Sequence, residues 1–197
     1  MRIASTRWPR KLPRSGAASS ANQERGSDSD IIGPQTFPVY RLHPDTGLVV
    51  ETDMQWGLIP HYAESRPHFR AVHARAEIVS RQRLFREAYR KRRCIVRMMQ
   101  FYQKDRRRRR HVITRNDGEP LGIAGVWENW CDPNTGEWER SFAILTIEAN
   151  DLVRKIYSRM PLILKDSDFP RWMGSEGDPH ELLSSNYPLN LLSISLR

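Results

Sequence analysis

The stretch that decides the fold is HVITRNDGEPLGIAGVWENWCDPNTGEWERSFAILTI, residues 111–147. Three strand-like runs, 111–115, 121–127 and 138–147, are separated by Asn116-Asp117-Gly118 and by the loop 131–136. Both separators carry the turn residues that let a chain reverse between strands. The reading is an antiparallel meander, so the centre of the chain is β-rich.

Upstream, the runs 37–42 and 48–52 flank His43-Pro44-Asp45-Thr46-Gly47, which reads as a second hairpin. In Met54-Gln-Trp-Gly-Leu-Ile-Pro-His-Tyr62, Gly57 and Pro60 break any helix. Trp56 and Tyr62 carry flat faces that stack on bases or anchor a core, and the residues leave both uses open. Ala71-Val-His-Ala-Arg-Ala-Glu77 follows. If it is extended, His73, Arg75 and Glu77 share one face and Val72, Ala74 and Ala76 the other. That face is either a functional wall or a solvated edge.

Residues 81–92 place Leu84, Phe85, Ala88 and Tyr89 on one helical stripe, with Ser80 as a candidate cap. A short apolar strand at 94–96 leads through 97–105 into five consecutive arginines, Arg106 to Arg110. The window 81–110 holds fourteen Lys or Arg against two acids, Glu87 and Asp105. Adjacent arginines cannot pack together, so the run reads as a hairpin tip that attracts phosphate by charge. Downstream, Asn150 can cap a short helix through Lys155, 162–164 is apolar, 167–173 suggests a helical turn and 189–196 a last strand.

The chain has 197 residues, 39% hydrophobic, which suits one domain with one core. A net charge of +9 and a pI near 10.1 point to nucleic acid or another anionic partner. Cys94 and Cys131 have no metal-ligand spacing, so neither a metal nor a cofactor is expected, and the setting is reducing. No stretch has the roughly 18 apolar residues of a membrane helix. Residues 1–31 are basic, Ser-rich and poor in large apolar side chains, and read as a disordered extension or a misassigned start. The domain is expected over 32–197, truncated at both ends, monomeric and cytoplasmic, nucleoid-associated when bound to DNA.

From about Pro34 onward the chain resembles the SRAP family, the SOS-response-associated peptidase-like proteins that process abasic sites in single-stranded DNA. The resemblance rests on Phe37-Pro-Val-Tyr40, Trp56-Gly-Leu-Ile-Pro60, Ala74-Arg-Ala-Glu77, Phe85-Arg-Glu-Ala88, Arg93-Cys94, Phe101-Tyr102, Ala124-Gly-Val-Trp-Glu128, Ser141-Phe142, residues 144–146 and Arg159-Met-Pro161, in family order. It implies an α+β fold with a β-rich, barrel-like antiparallel core, a few short peripheral helices and a cleft for single-stranded DNA. It also implies a thiazolidine link between an N-terminal cysteine and the ring-opened abasic aldehyde.

The departures fall on the chemistry. Arg2 stands where the family has the cysteine, His73 where it has an asparagine, Gln103 where it has a glutamate and Tyr157 where it has a histidine. Gln103 cannot exchange a proton, and losing a general acid or base costs about 10²- to 10⁴-fold. A tyrosine, with an ordinary pKa near 10, is a poor base at neutral pH. Substitute nucleophiles would be the Met1 amine or Cys94. By the resemblance, Arg75 and Arg159 hold backbone phosphates, and Trp56 and Tyr62 contact bases; alternatively the arginines hold carboxylates such as Glu77 or Glu128. The leading expectation is single-stranded DNA binding, abasic strands included, with covalent capture lost. An active enzyme with another nucleophile or start is the second. The third is a decaying paralogue, in which Arg97-Met98-Met99 intrudes on the core.

Overall fold

A computed structural model describes residues 35–174, 177–184 and 187–196. The expectations for residues 1–31, Arg2 included, lie outside these. The described chain contains, in order, β1 (Thr36–Leu42), β2 (Val49–Trp56), β3 (His73–Arg75), α1 (Arg86–Lys91), β4 (Arg93–Met98), β5 (Gln100–Lys104) and β6 (Arg110–Arg115). Then come β7 (Leu121–Cys131), β8 (Trp138–Glu148), β9 (Arg159–Pro161), β10 (Ile163–Leu164), α2 (Phe169–Met173) and β11 (Leu192–Leu196), with short 3₁₀ turns between.

β1 and β2 form the first hairpin, turned at Gly47 with φ 65°. β1 pairs antiparallel with β4, β4 with β7, and β7 with β8. β8 then meets β2 in parallel through Gln55 opposite Ser141 and Trp56 opposite Phe142, so the five strands close on themselves. This is the α+β, barrel-like core that the resemblance implies, but it is mixed rather than wholly antiparallel, because a parallel seam closes it. β3 extends β8 in parallel beyond β2, and β9 pairs with its other side beyond β7.

The meander differs from expectation in one strand. β7 and β8 pair as read, but β6 joins β5 and β11 in a separate three-stranded antiparallel sheet. The turn after β6 is what separates them. Pro120 has no N–H for a ladder, and Asn116 Nδ2 donates to Asn190 O at 2.6 Å, pulling the turn onto the C-terminal segment. Arg97 and Met98 continue the β4 ladder opposite Gly122 and Leu121, so they do not intrude on the core. Met99 alone stands outside both ladders, exposed, where the chain changes sheets.

The first six residues of β7 are all buried, because the barrel covers one face and α2 the other. Phe169 of α2 lies where a Cβ on Gly122 would be, and Trp172 donates its Nε1 hydrogen to Cys94 O at 2.9 Å. α1 is shorter than the stripe over 81–92 suggests. Its N-cap is Phe85, without a side-chain hydrogen bond, so Ser80 does not cap it. Phe85, Ala88 and Tyr89 are nonetheless buried as the stripe requires. Asn150 does accept the N–H of Val153 at 3.0 Å and starts the turn Val153–Lys155.

Candidate nucleic-acid interface

The five arginines sit where β5 returns as β6, and the tip is ordered by one acid. Asp105 accepts the backbone N–H groups of Arg107 and Arg109, each at 2.9 Å, and the Arg109 Nε hydrogen at 2.8 Å. His111 Nε2 lies 3.1 Å from Oδ2, the oxygen that also accepts from Arg109 Nε, while the two backbone groups share Oδ1. Desolvation alone would raise this carboxyl, but the hydrogen bonds from His111 and from the backbone and guanidinium of Arg109 hold it far below the usual range. Arg108 adopts φ 60°, a left-handed conformation that costs a non-glycine residue about 1–2 kcal/mol. Arg110 folds back over the Tyr102 ring at 3.8 Å, while 106–109 remain exposed.

Facing the tip is the segment between the turn Val153–Lys155 and β9. The two enclose an open cleft of about 840 Å³. Lys104, Arg106, Arg107 and Arg109 line it from the hairpin, and Arg154 and Lys155 from the other wall, so six cations surround one carboxylate, Asp105. Tyr157 and Ser158 add hydroxyls. A wall of this kind suits a polyanion, because each phosphate that it neutralises releases counterions.

The sequence-derived residues fall into separate groups. Tyr157, 42% exposed, lines the cleft. Gln103 is half-buried in β5, opposite His111 in the ladder. His73 and Arg75 lie on the exposed face of β3 with Ala74 buried between them, as extended geometry demands. The strand ends there: Ala76–Ile78 is a 3₁₀ turn, which still leaves Glu77 exposed and Ala76 buried.

Arg159 donates to both Glu77 oxygens, at 2.6 and 3.0 Å, and to Thr146 O at 2.6 Å. The hydrogen bond from Arg159 lowers the Glu77 carboxyl below its usual range against desolvation, and the charge of Arg75 adds to this. Arg159 therefore uses its guanidinium as a carboxylate clamp between β9 and the end of β3. Glu128 is buried and takes other partners, Arg92 at 2.6 Å and His61 at 3.3 Å.

Trp56 is half-buried. Its Nε1 donates to Val72 O at 3.0 Å, its ring stacks on Phe142 at 6.5 Å, and His73 meets it edge-on at 5.8 Å. Gly57 makes this corner possible: it has φ 111°, and a Cβ there would approach Arg70 Cβ to 2.6 Å. Tyr62 is exposed on the next loop, with Arg83 5.0 Å from its ring centre. Cys94 is fully buried and desolvation pushes its thiol up, so it presents no nucleophile.

Arg154, Lys155 and Asp105 were not marked as site residues by their sequence. The pair Arg154-Lys155 just before Tyr157, and a single acid in front of five arginines, are the available signals. That the two segments face each other is written in no local pattern. Among the described residues no group of three or more His, Cys, Asp or Glu could hold a metal, and no helix is long and apolar enough to cross a membrane.

Comparison with known proteins adds relatives and a fold. Among the solved structures that match are a protein from Bacteroides thetaiotaomicron, with TM-score 0.74 and 24% identity over 82% of this chain and 73% of that one, and a protein from Bordetella bronchiseptica, with TM-score 0.72 and 28% identity over 82% and 83%. Abasic site processing protein YoqW of Bacillus subtilis is 29% identical over 137 residues, 67% of this chain. Abasic site processing protein HMCES of Xenopus tropicalis is 23% identical over 180 residues, 78% of this chain. The matches span 61% and 53% of the length of those two relatives. The family model described as SOS response associated peptidase matches residues 1–194, and the chain therefore belongs to the SRAP family.

Proposed function

We propose that this chain binds single-stranded DNA, strands with abasic sites included, through the basic cleft between the arginine hairpin and residues 154–158. The observation that carries the reading is the wall of six cations around one engaged carboxylate. Phosphate contacts position a strand without reading its sequence. The exposed Tyr62 and Tyr157 offer faces on which bases can stack. The names of the relatives, abasic site processing proteins, supply the lesion.

The same reading has covalent capture by the family's thiazolidine chemistry lost. At the positions of the family's glutamate and histidine, Gln103 carries an amide in place of a carboxylate and Tyr157 a phenol in place of an imidazole. Binding needs neither.

The test is a native mobility shift with single-stranded DNA carrying one abasic site, run over a salt series beside a denaturing gel. The expected result is a shift that weakens steeply with salt, with a slope of log K on log salt between about −2 and −4, near −0.7 per neutralised phosphate. No heat-stable adduct should form without an added reductant. No shift at low salt would remove the binding reading, and a spontaneous heat-stable adduct would remove the loss of capture.

A further inference from the structure

The cleft contains primary amines as well as guanidinium groups, and a primary amine is what condenses with an aldehyde. We infer that Lys104 forms a reversible imine with the ring-opened sugar of an abasic site; this rests on the binding reading above. Lys104 ends β5 opposite Arg110, half-buried, so the ladder fixes its backbone and packing restricts its stem. Lys155, the other amine on the cleft, is exposed at the end of a three-residue turn and has no such support. Asp105, the acid nearest in the chain, is engaged by Arg107, Arg109 and His111, which leaves its charge directed at the tip.

Arg106, Arg107 and Arg154 line the same cleft and hold the phosphates that flank the lesion. An aldehyde held in this way meets the amine at a high effective concentration. The neutral Lys104 Nζ adds to C1′ of the open sugar, its two protons pass in turn to the former aldehyde oxygen, and that oxygen leaves as water as the C=N bond forms. Hydrolysis reverses the step. Nothing is oxidised or reduced, and no partner beyond water is required. Tyr157 brings a hydroxyl to the cleft that can exchange a hydrogen bond with the leaving oxygen.

The experiment incubates the full chain with single-stranded DNA carrying one abasic site, with and without sodium borohydride, and maps any adduct by peptide mass spectrometry. Bound DNA is measured in parallel by native shift. The expected result is a denaturant-stable adduct that forms only with borohydride and maps to Lys104. In Lys104→Arg, which keeps the charge, trapped product per bound DNA should fall at least about tenfold, as expected when a positioned amine is replaced by a group that forms no stable imine under these conditions. An adduct on Lys155 or any other amine, or bound DNA without a trapped product, overturns the assignment while binding stands. Absence of a shift removes the binding reading itself.

Discussion

The barrel wall beneath α2 and the arginine tip opposite residues 154–158 are built by opposite rules. Under α2, Gly122 leaves room for Phe169, and Trp172 is fully buried with its one donor satisfied on Cys94 O. At the tip, four arginines are exposed, one of them in a left-handed conformation, and a single carboxylate orders the loop. The first region keeps its shape because its large rings are buried and the Trp172 donor is satisfied. The second keeps its charge at the expense of good packing. Each can change without the other.

The largest effect should come from the wall. Trp172→Ala removes a fully buried ring and leaves Cys94 O without its donor, a loss of about 3–5 kcal/mol by the usual cost of large-to-small core changes. Urea unfolding measures it, and a loss below about 1 kcal/mol would erase the contrast between the two regions. Replacing Arg106 and Arg107 together by glutamine should do the reverse. Single-stranded DNA affinity should fall about tenfold at low salt, and the salt slope should shrink by about 1.4, two phosphates' worth. Stability should stay within about 0.5 kcal/mol, as for surface changes away from packed features.

That division also explains what could be read from the sequence. The hairpin of β1 and β2, the pairing of β7 with β8 and the buried stripe Phe85, Ala88, Tyr89 are local patterns, with periods of two or 3.6 residues closed by turn residues. The parallel seam at Trp56 and Phe142 is not local, and neither is the second sheet that takes β6 from the meander. In the candidate site, the run of arginines announced its charge but not its opposite wall, because Arg154 lies 48 positions beyond Arg106 in sequence and nothing periodic links them. Arg159 was readable as part of a family-like block but not as the clamp on Glu77, since that contact joins β9 to the turn after β3.

The tip itself can be tested through its one acid. Asp105→Asn keeps the shape and removes the charge from the hydrogen bonds with Arg107, Arg109 and His111, so exchange of the Arg107 and Arg109 amides should quicken by roughly tenfold. The carboxyl lies below its unfolded value, so its contribution is present above the ordinary aspartate range and is lost as pH falls through the depressed value. Protection of these amides in the unaltered chain should therefore persist from neutral pH through pH 4, and weaken only in stronger acid. Unchanged exchange in Asp105→Asn would mean that the strands alone hold the tip.

The smallest effect lies at the boundary between the two regions, on the clamp of Arg159 and Glu77. With the arginine side chain 23% exposed and the glutamate 46%, the pair contributes no more than about 1 kcal/mol after solvent screening. Glu77 is lowered in the folded chain, so this contribution is full above its ordinary value of 4.5 and disappears as pH falls through the depressed value. Glu77→Gln should thus lower Tm slightly at pH 7, and the difference from the unaltered chain should close in acid. The same change takes the carboxylate from Arg159, which keeps its bond to Thr146 O, and removes a negative charge beside Arg75, so single-stranded DNA should bind about two- to threefold tighter at low salt if this edge lies along the strand's path. An unchanged affinity with the Tm loss intact would place Arg159 with the barrel, as a strut between β9 and β3, and confine DNA contact to the cleft beyond it.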